Sequence, residues 1–291
     1  MSSLRGNPNY YCPKLISYGD TITEGIYHIH SRFSRTINLQ NGNILLSIVN
    51  QDIGKGPFNI ILHYFDLREI HSLIVLQNVI IINKIPFQLH EDLKYHSKIT
   101  FQNAKVDKLY ENLNFVESFL AEQSPEKSLS FLFNEKRETF FATTFERAFL
   151  QRIKQGIEYM QKGTLENLKK GIAWIKGCGF GLTPSGDDFL AGLLSGLYVK
   201  HEIKGNDLSE VRKLIYTYAQ GENFISNSFL TSAYKGLFNE RFKNFIMSLF
   251  QKNHEQLMSH VESLLDVGAT SGADTLVGFI FAWKKAGELW L

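Results

Sequence analysis

Short apolar runs, rich in Ile, Val, Tyr and Phe, recur through the first hundred residues and alternate with turn residues. This composition and spacing predict β-strands at 14–18, 25–30, 44–49, 58–62 and 72–82. Asn41-Gly42, between two of the runs, is a hairpin signal. Because no long helical pattern separates the runs, we expect mostly antiparallel pairing in a barrel- or sandwich-like domain.

The hydrophobic period changes to three or four residues near residue 108, which is typical of helices. Apolar residues between 141 and 160 predict one face of a long helix, and we expect its phenylalanines to lie in the core. These residues are Phe141, Phe145, Ala148, Phe149, Ile153, Ile157 and Met160. Thr164 is the predicted N-cap of the next helix, and Asp207 with Glu210 marks another helix start. Further helices are expected at 226–235, 240–251, 254–264 and 271–285.

These patterns predict an α+β protein with two domains. An antiparallel β-rich domain at residues 1–106 is followed by an all-helical C-terminal domain at residues 107–291. Residues 121–138 combine Ser124-Pro125 with alternating charges and are therefore the most linker-like part of the chain.

Composition excludes several classes of protein. Hydrophobic residues make up 44% and charged residues 21%, as in an ordinary globular chain. The net charge of +2, without a dense run of Lys and Arg, argues against a nucleic-acid partner. The run at 72–82 is too short to span a bilayer. Two cysteines and a polar N-terminus, which has no signal-peptide core, indicate a soluble cytoplasmic protein without a membrane partner.

Residues 177–192, here named the glycine-rich elbow, carry the sharpest local pattern. Three glycines alternate before Thr-Pro-Ser-Gly-Asp-Asp, and an apolar helical stretch follows. Glycine permits positive φ angles and close approach of a ligand. The segment lacks the lysine of a phosphate-binding P-loop, and its glycine spacing differs from the dinucleotide fingerprint.

The helix start inside the elbow is a candidate anion site. Either Thr183 or Ser185 is the expected N-cap, and Pro184 suits the first turn. The N–H groups around Thr183, Ser185 and Gly186 then point at one spot, where the helix dipole favours an anion.

A second copy of this helix start lies at residues 271–278. Ser-Gly-Ala-Asp-Thr-Leu-Val-Gly there matches Ser-Gly-Asp-Asp-Phe-Leu-Ala-Gly at 185–192. One explanation is two helices whose N-termini meet around one ligand; the other is helix capping without a ligand. The glycines at 192 and 196 share a helix face and permit close approach of another helix.

The stretch from Gly179 to Gly192 resembles the signature of the AllH family, whose best-known member is a subunit of bacterial oxamate carbamoyltransferase. Weaker familial features accompany it at 30–33, 38–39, 56–57, 225–236 and 270–274. The resemblance implies a multi-subunit enzyme that interconverts oxalurate and phosphate with oxamate and carbamoyl phosphate, in anaerobic use of allantoin and purine nitrogen. It also implies an FdrA-like partner and a companion chain.

Carbamoyl transfer requires a phosphate site, donors that polarise the carbamoyl oxygen, and a base for the amide nitrogen of oxamate. We expect Asp187 or Asp188 to be the catalytic base. The expected substrate- and phosphate-binding residues are Gly179, Gly181, Thr183, Ser185, Gly186, Thr270, Ser271, Gly272, Asp274, Asn223 and Ser226. For Asn223 and Ser226, helix capping is the alternative role.

Two carboxylates beside a phosphate repel it. Either they face the nucleophile, or a cation such as Mg²⁺ lies between them, or Asp188 only caps its helix; the sequence leaves these alternatives open. Mg²⁺ is thus the one cofactor that the residues suggest, and its ligands are unknown. Two other functions also remain: a non-catalytic scaffold or regulatory subunit, and a stand-alone binder of a small carboxylate or phosphate.

Overall fold

A computed structural model describes residues 13–101, 106–284 and 290. The chain forms two compact units, Met1–His96 and Ser97–Leu291. Every strand in the described part belongs to the first unit and every α-helix to the second. The predicted α+β class is therefore confirmed, whereas the domain limits 1–106 and 107–291 stay predictions.

The first unit is one nine-stranded sheet that curls into a half-barrel. Its strands are β1 (Lys14–Gly19), β2 (Gly25–Arg32), β3 (Thr36–Asn41), β4 (Ile44–Val49), β5 (Asn59–His63), β6 (Leu73–Leu76), β7 (Val79–Ile82), β8 (Ile85–Gln88) and β9 (Lys94–Tyr95). They lie in the order β8-β7-β6-β2-β3-β4-β5-β1-β9. The β4–β5 and β1–β9 pairs are parallel and the other pairs are antiparallel, so the sheet is mixed but mostly antiparallel.

Local chemistry explains the middle of this sheet. Gly42, at φ 55°, turns the chain between β3 and β4, as Asn41-Gly42 predicts. Ile37 and Leu39 of β3 and Ile48 of β4 belong to one buried cluster. Each such buried side chain contributes roughly 1.5–3 kcal/mol relative to exposure.

The second unit is helical. Its α-helices are α1 (Leu109–Gln123), α2 (Thr144–Gln161), α3 (Leu165–Ile175), α4 (Ser185–Lys204), α5 (Ser209–Ala219), α6 (Phe224–Lys235), α7 (Glu240–Ser248), α8 (His254–Leu265) and α9 (Ser271–Lys284). Thr164 caps α3, as predicted, by accepting a hydrogen bond from the Asn167 amide. Among the described helices, none combines the length and the apolar content that crossing a bilayer requires.

The predicted core position of Phe145 is wrong. Thr143 and Glu146 form a capping box that starts α2 at Thr144, so Phe145 lies in the first turn. Its side chain is 66% exposed, whereas Phe141 and Phe149 are buried as predicted. The helical period alone does not show that the first turn of α2 extends beyond the core.

The linker-like interpretation of residues 121–138 is also wrong. Leu129 and Phe131 are buried in a short 3-10 helix, Leu129–Leu132. Arg137 is buried as well, and its guanidinium donates to the carbonyl oxygens of Ser124 and Pro125 at 2.6 and 2.7 Å. Backbone carbonyls of the protein interior therefore accept hydrogen bonds from the buried Arg137 guanidinium. The charges of this segment do not mark a solvated linker.

Candidate functional site

Helices α4 and α9 lie side by side at the centre of the candidate site. A Cβ on Gly192 would overlap the backbone carbonyl of Thr275, and a Cβ on Gly278 would overlap that of Phe189. Farther along, Gly196 faces Phe279 and Ala282. The contacts advance in the same direction along both helices, so the helices are parallel and their N-termini lie together. This confirms the predicted close approach and the meeting of the two sequence copies.

The elbow folds back over the start of α4. Gly177, Gly179 and Gly181 have φ angles of 66°, 130° and 93°, in the region that favours glycine. A side chain on Gly179 would strike the amide of Ser185. The Gly186 N–H donates to the carbonyl oxygen of Cys178 at 2.8 Å. The Asp187 and Asp188 N–H groups donate to the Pro184 carbonyl at 2.9 and 3.1 Å. The predicted anion site on the Gly186 N–H is therefore not formed, because this amide is satisfied within the chain.

The predicted side-chain N-caps of α4 are not formed. Pro184 occupies the N-cap position, without a side-chain hydrogen bond, and Ser185 is the first helical residue. The Cys178 carbonyl accepts the Gly186 amide, and the Pro184 carbonyl accepts those of Asp187 and Asp188, so none of these amides is left for a hydroxyl cap. The Thr183 hydroxyl instead donates to Asp188.

The hydroxyls of Ser185 and Ser271 each lie beside an aspartate of the opposite helix. This reciprocal arrangement is here named the Ser–Asp exchange. Ser185 of α4 lies close enough to Asp274 of α9 to lower its pKa, and Ser271 of α9 lies close enough to Asp188 of α4 to lower its pKa. The Thr183 hydroxyl donates to Oδ2 of Asp188 at 3.1 Å and lies 3.3 Å from the Ser271 hydroxyl. The serine of each copy thus lies beside the aspartate of the other copy.

Both carboxyl groups of the exchange are buried. Asp274 is 0% exposed and Asp188 is 8% exposed. Burial raises the pKa of Asp188 well above its usual value, and the negative charge of Asp274 raises it further. Burial raises the pKa of Asp274 to about 7, against hydrogen bonds from the Leu129 amide and the Ser185 and Thr270 hydroxyls. In the described part of the chain, Oδ2 of Asp274 has no well-formed hydrogen bond.

Comparison with known protein families matches both parts of the chain. Residues 175–283 match the family described as oxamate carbamoyltransferase subunit AllH, and residues 10–106 match the AllH family N-terminal domain. The chain belongs to the AllH family. It is accordingly a subunit of a carbamoyltransferase, which implies that other subunits exist. No solved structure matches the chain.

Asp187 of this AllH-family chain is separate from the exchange. Its Oδ1 accepts the N–H of Gly177 at 2.7 Å, which ties the entrance of the elbow to the first turn of α4. This contact gives Asp187 a structural role, and no observation distinguishes a catalytic one.

Two further glycines of the expected site pack against neighbouring helices. A Cβ on Gly186 would overlap the carbonyl of Ile175 at the end of α3, and one on Gly272 would overlap that of Leu264 in α8. Gly181 differs, since it is exposed and faces open space. Gly186 and Gly272 therefore have a packing explanation, whereas Gly181 leaves room for a ligand.

Helix α6 also begins beside the elbow. Asn223 caps α6 by accepting the Ser226 N–H at 3.0 Å, and its amide group donates to the Leu182 carbonyl at 2.8 Å. The Ser226 hydroxyl is buried and has no partner among the described residues. The capping role of Asn223 is confirmed, and Asn223 also connects the start of α6 to the elbow.

Sequence reasoning missed several groups around the site. The Leu129 amide donates to Oδ1 of Asp274 at 2.7 Å, although 145 residues separate the two in sequence. Arg152 donates to the carbonyl of Trp174, and Lys176 donates to that of Gln220, each at 2.7 Å. Lys176 directly precedes the elbow in the sequence, and this position could have indicated it. Nothing in the sequence indicates Leu129.

A metal centre finds limited support. Within the described ranges, no group of three or more His, Cys, Asp and Glu side chains is arranged to hold a metal ion. The oxygen ligands gathered by the exchange are two carboxyl groups and their hydroxyls. The Mg²⁺ considered from the sequence stays a prediction.

Proposed function

We propose that the paired N-termini of α4 and α9 are this subunit's contribution to the carbamoyl-transfer site. The reaction is the interconversion of oxalurate and phosphate with oxamate and carbamoyl phosphate, in anaerobic use of allantoin and purine nitrogen. One observation carries the proposal: the Thr183 hydroxyl, which donates to Asp188, lies 3.3 Å from the Ser271 hydroxyl, so the two copies of the motif meet at half-buried hydroxyls.

The rim of the exchange suits anionic substrates. Thr183, Thr270 and Ser271 are half-buried, so their hydroxyls lie between the buried carboxyls and the surface. Two parallel helix N-termini add partial positive charge at the same place. Donors of this kind stabilise negative charge as it develops on a carbamoyl oxygen. The open space at Gly181 allows a ligand to approach the rim.

Asp188 is the proposed proton carrier. The amide nitrogen of oxamate is a weak nucleophile and must lose a proton as it attacks, and the reverse reaction must return one. A carboxyl group whose pKa is raised toward the working pH can do both. The Thr183 hydroxyl connects Asp188 to the rim.

The partners and compartment follow from the same proposal. An FdrA-like subunit and a companion chain would supply the remaining parts of the site. The substrates are small molecules, and we expect the reaction to take place in the cytoplasm, as the cysteine content indicates.

Reconstitution with the partner subunits tests this function. Asp188→Asn keeps the shape of the side chain but removes its acid, and we expect turnover to fall by about 100-fold or more. Asp207→Asn is the matched control, because Asp207 accepts the Ser209 N–H just before α5, at an exposed position outside the site. Full turnover with Asp188→Asn would remove this role from Asp188.

A scaffold or regulatory subunit is the second candidate. Phe180 and Leu182 of the elbow are 55% and 39% exposed, and Phe180 lies beside the exposed Phe145 at a ring-centroid distance of 5.0 Å. An apolar surface of this kind suits contact with another chain. Normal turnover by the partner subunits alone would support this alternative and contradict the first proposal.

A stand-alone anion binder makes a different prediction. The isolated chain would bind phosphate, oxamate or oxalurate in calorimetric titration, and its addition would not change the activity of any partner. Binding that is lost in Ser185→Ala, Asp188→Ala would place the anion at the elbow.

A further inference from the structure

Two buried carboxyl groups share the junction between α4 and α9. The Thr183 hydroxyl donates to Asp188 and lies 3.3 Å from the Ser271 hydroxyl, one turn before Asp274 on α9. Oδ2 of Asp274 is buried and has no well-formed partner among the described residues. A buried oxygen that lacks a donor is costly when it is ionised. The junction therefore requires something that neutralises charge.

Charged neighbours do not supply that neutralisation. The groups that raise the pKa of Asp188 through their charge are Asp274 and Asp187, both negative. The helices packed against α4 or α9 are α1, α3, α5, α6 and α8, together with the 3-10 helix Leu129–Leu132. None of these elements contributes a charged group to the shifts of the two carboxyls.

We propose that Asp188 and Asp274 hold one proton between them and act as a single proton-transfer unit of the carbamoyl transfer. The inference rests on the proposed function and deepens it, because it adds Asp274 as the partner of Asp188. Two like carboxyl groups at close quarters cannot both ionise easily, and they then titrate as a pair.

The reaction matches such a pair in its proton balance. An oxygen of phosphate attacks the carbamoyl carbon of oxalurate, the bond from that carbon to the amide nitrogen breaks, and its electron pair remains on nitrogen. The protonated carboxyl gives its proton to this nitrogen, which becomes the amide of oxamate. The ionised carboxyl takes the hydroxyl proton of the attacking phosphate. The pair holds one proton before and after each turnover.

The hydroxyls provide the routes. The Thr183 hydroxyl donates to Asp188 at 3.1 Å, and Thr270 lies one turn before Asp274, whose N–H donates to the Thr270 carbonyl at 2.9 Å. Both threonines are half-buried, so each carboxyl has its own hydroxyl at the rim. A hydroxyl can accept and donate at once, and it can pass a proton between the surface and a buried acid.

Carboxyl titration of the full-length chain tests the shared proton without any activity. NMR of Asp labelled with ¹³C at Cγ, assigned with Asp188→Asn and Asp274→Asn, follows both groups. We expect the pair to retain one proton near neutral pH, and Asp274→Asn to move the midpoint of Asp188 to lower pH. Two independent titrations near the ordinary value would overturn the proposal. If a variant does not fold, the wild-type titration, assigned with the other variant, decides.

A cation is the competing way to neutralise the pair. If Mg²⁺ or K⁺ raised the melting temperature of the wild-type chain but not of Asp188→Asn, a cation rather than a proton would occupy the junction. Asp187→Asn is the matched control, since Asp187 lies on the same turn but bonds to Gly177. We expect it to keep the one-proton titration and to move the midpoint of Asp188 less than Asp274→Asn does, because the charge of Asp187 has the smaller effect.

Turnover of the reconstituted complex separates the two proposals. We expect Asp274→Asn to lower kcat by about 100-fold or more and to remove one limb of the pH–rate profile. If Asp188→Asn abolishes turnover but Asp274→Asn leaves rate and pH profile intact, only the shared proton unit is wrong. If both variants keep full turnover, the proposed site itself is wrong.

Discussion

Gly278 of α9 lies so close to Phe189 of α4 that a side chain at position 278 would overlap the Phe189 carbonyl. The equivalent glycine of the other copy, Gly192, has the same relation to Thr275. This reciprocal contact brings the two helices together, and it places Ser185 beside Asp274 and Ser271 beside Asp188.

Gly278→Ala should destabilise the chain by about 3 kcal/mol, because the new methyl group meets backbone that cannot rotate away. Urea unfolding measures the change. Gly221→Ala is the matched control, since its nearest neighbour is a flexible lysine side chain, and we expect a change of about 0.5 kcal/mol or less. Equal stability of the two variants would contradict the tight contact of α4 and α9.

Stability should depend on pH through the buried carboxyls. The pKa of Asp274 rises from 3.8 to about 7 on folding, so the folded chain binds more protons than the unfolded chain between these values. Its contribution is complete below about pH 4 and is lost as the pH rises toward 7. The loss amounts to roughly 4 kcal/mol for one group shifted by about three pKa units.

Denaturant unfolding between pH 4 and 8 measures this dependence. Asp188→Asn, Asp274→Asn should flatten it and stabilise the chain at pH 8, because no buried acid remains to ionise. Asp187→Asn should keep most of the wild-type slope, because its charge has the smallest effect on the pKa of Asp188. A double variant that retains the full slope would assign the dependence to other groups.

Arg137→Met should loosen the segment that reaches the site. The change leaves the Ser124 and Pro125 carbonyls without their charged donor, and we expect a loss of about 2–3 kcal/mol. Hydrogen exchange of the Leu129 amide, which bonds to Asp274, should accelerate. Lys136→Met is the control, since Lys136 is exposed. Unchanged exchange at Leu129 would show that Arg137 does not hold the segment.

Asn223→Ala should separate capping from function. Loss of the cap of α6 costs about 1 kcal/mol. Asn253→Ala removes the equivalent cap of α8 and should cost a similar amount. Because only Asn223 also bonds to the elbow, at the Leu182 carbonyl, only its variant should weaken substrate binding by the complex. The same KM for both variants would leave Asn223 with a capping role alone.

Local patterns in the sequence predicted much of the fold. The Asn41-Gly42 turn, the Thr164 cap and the close helix contact at Gly192 each depend on residues near in sequence or on one helix face. The two copies of the Ser-Gly-x-Asp motif also predicted that two helix starts meet, as they do. These features need only local geometry.

Predictions failed where a nearby backbone carbonyl or a capping box decided the start of a helix. The Cys178 carbonyl takes the Gly186 amide and the Pro184 carbonyl takes those of Asp187 and Asp188, so the hydroxyls of Thr183 and Ser185 are not N-caps. Phe145 is exposed because the capping box places it in the first turn of α2. Neither outcome is visible in the periodicity of the surrounding residues.

The sequence by itself determined the strand-rich first part, the helical second part and the two copies of the motif. Only the tertiary structure decided that Ser185 lies beside Asp274 and that Ser271 lies beside Asp188. It also decided that the Leu129 amide donates to the buried Asp274 carboxyl. The physical reason is range. A hydrogen bond between residues far apart in the chain exists only after glycine contacts have packed their helices together, and the same packing removes the water that would otherwise keep both aspartates ionised.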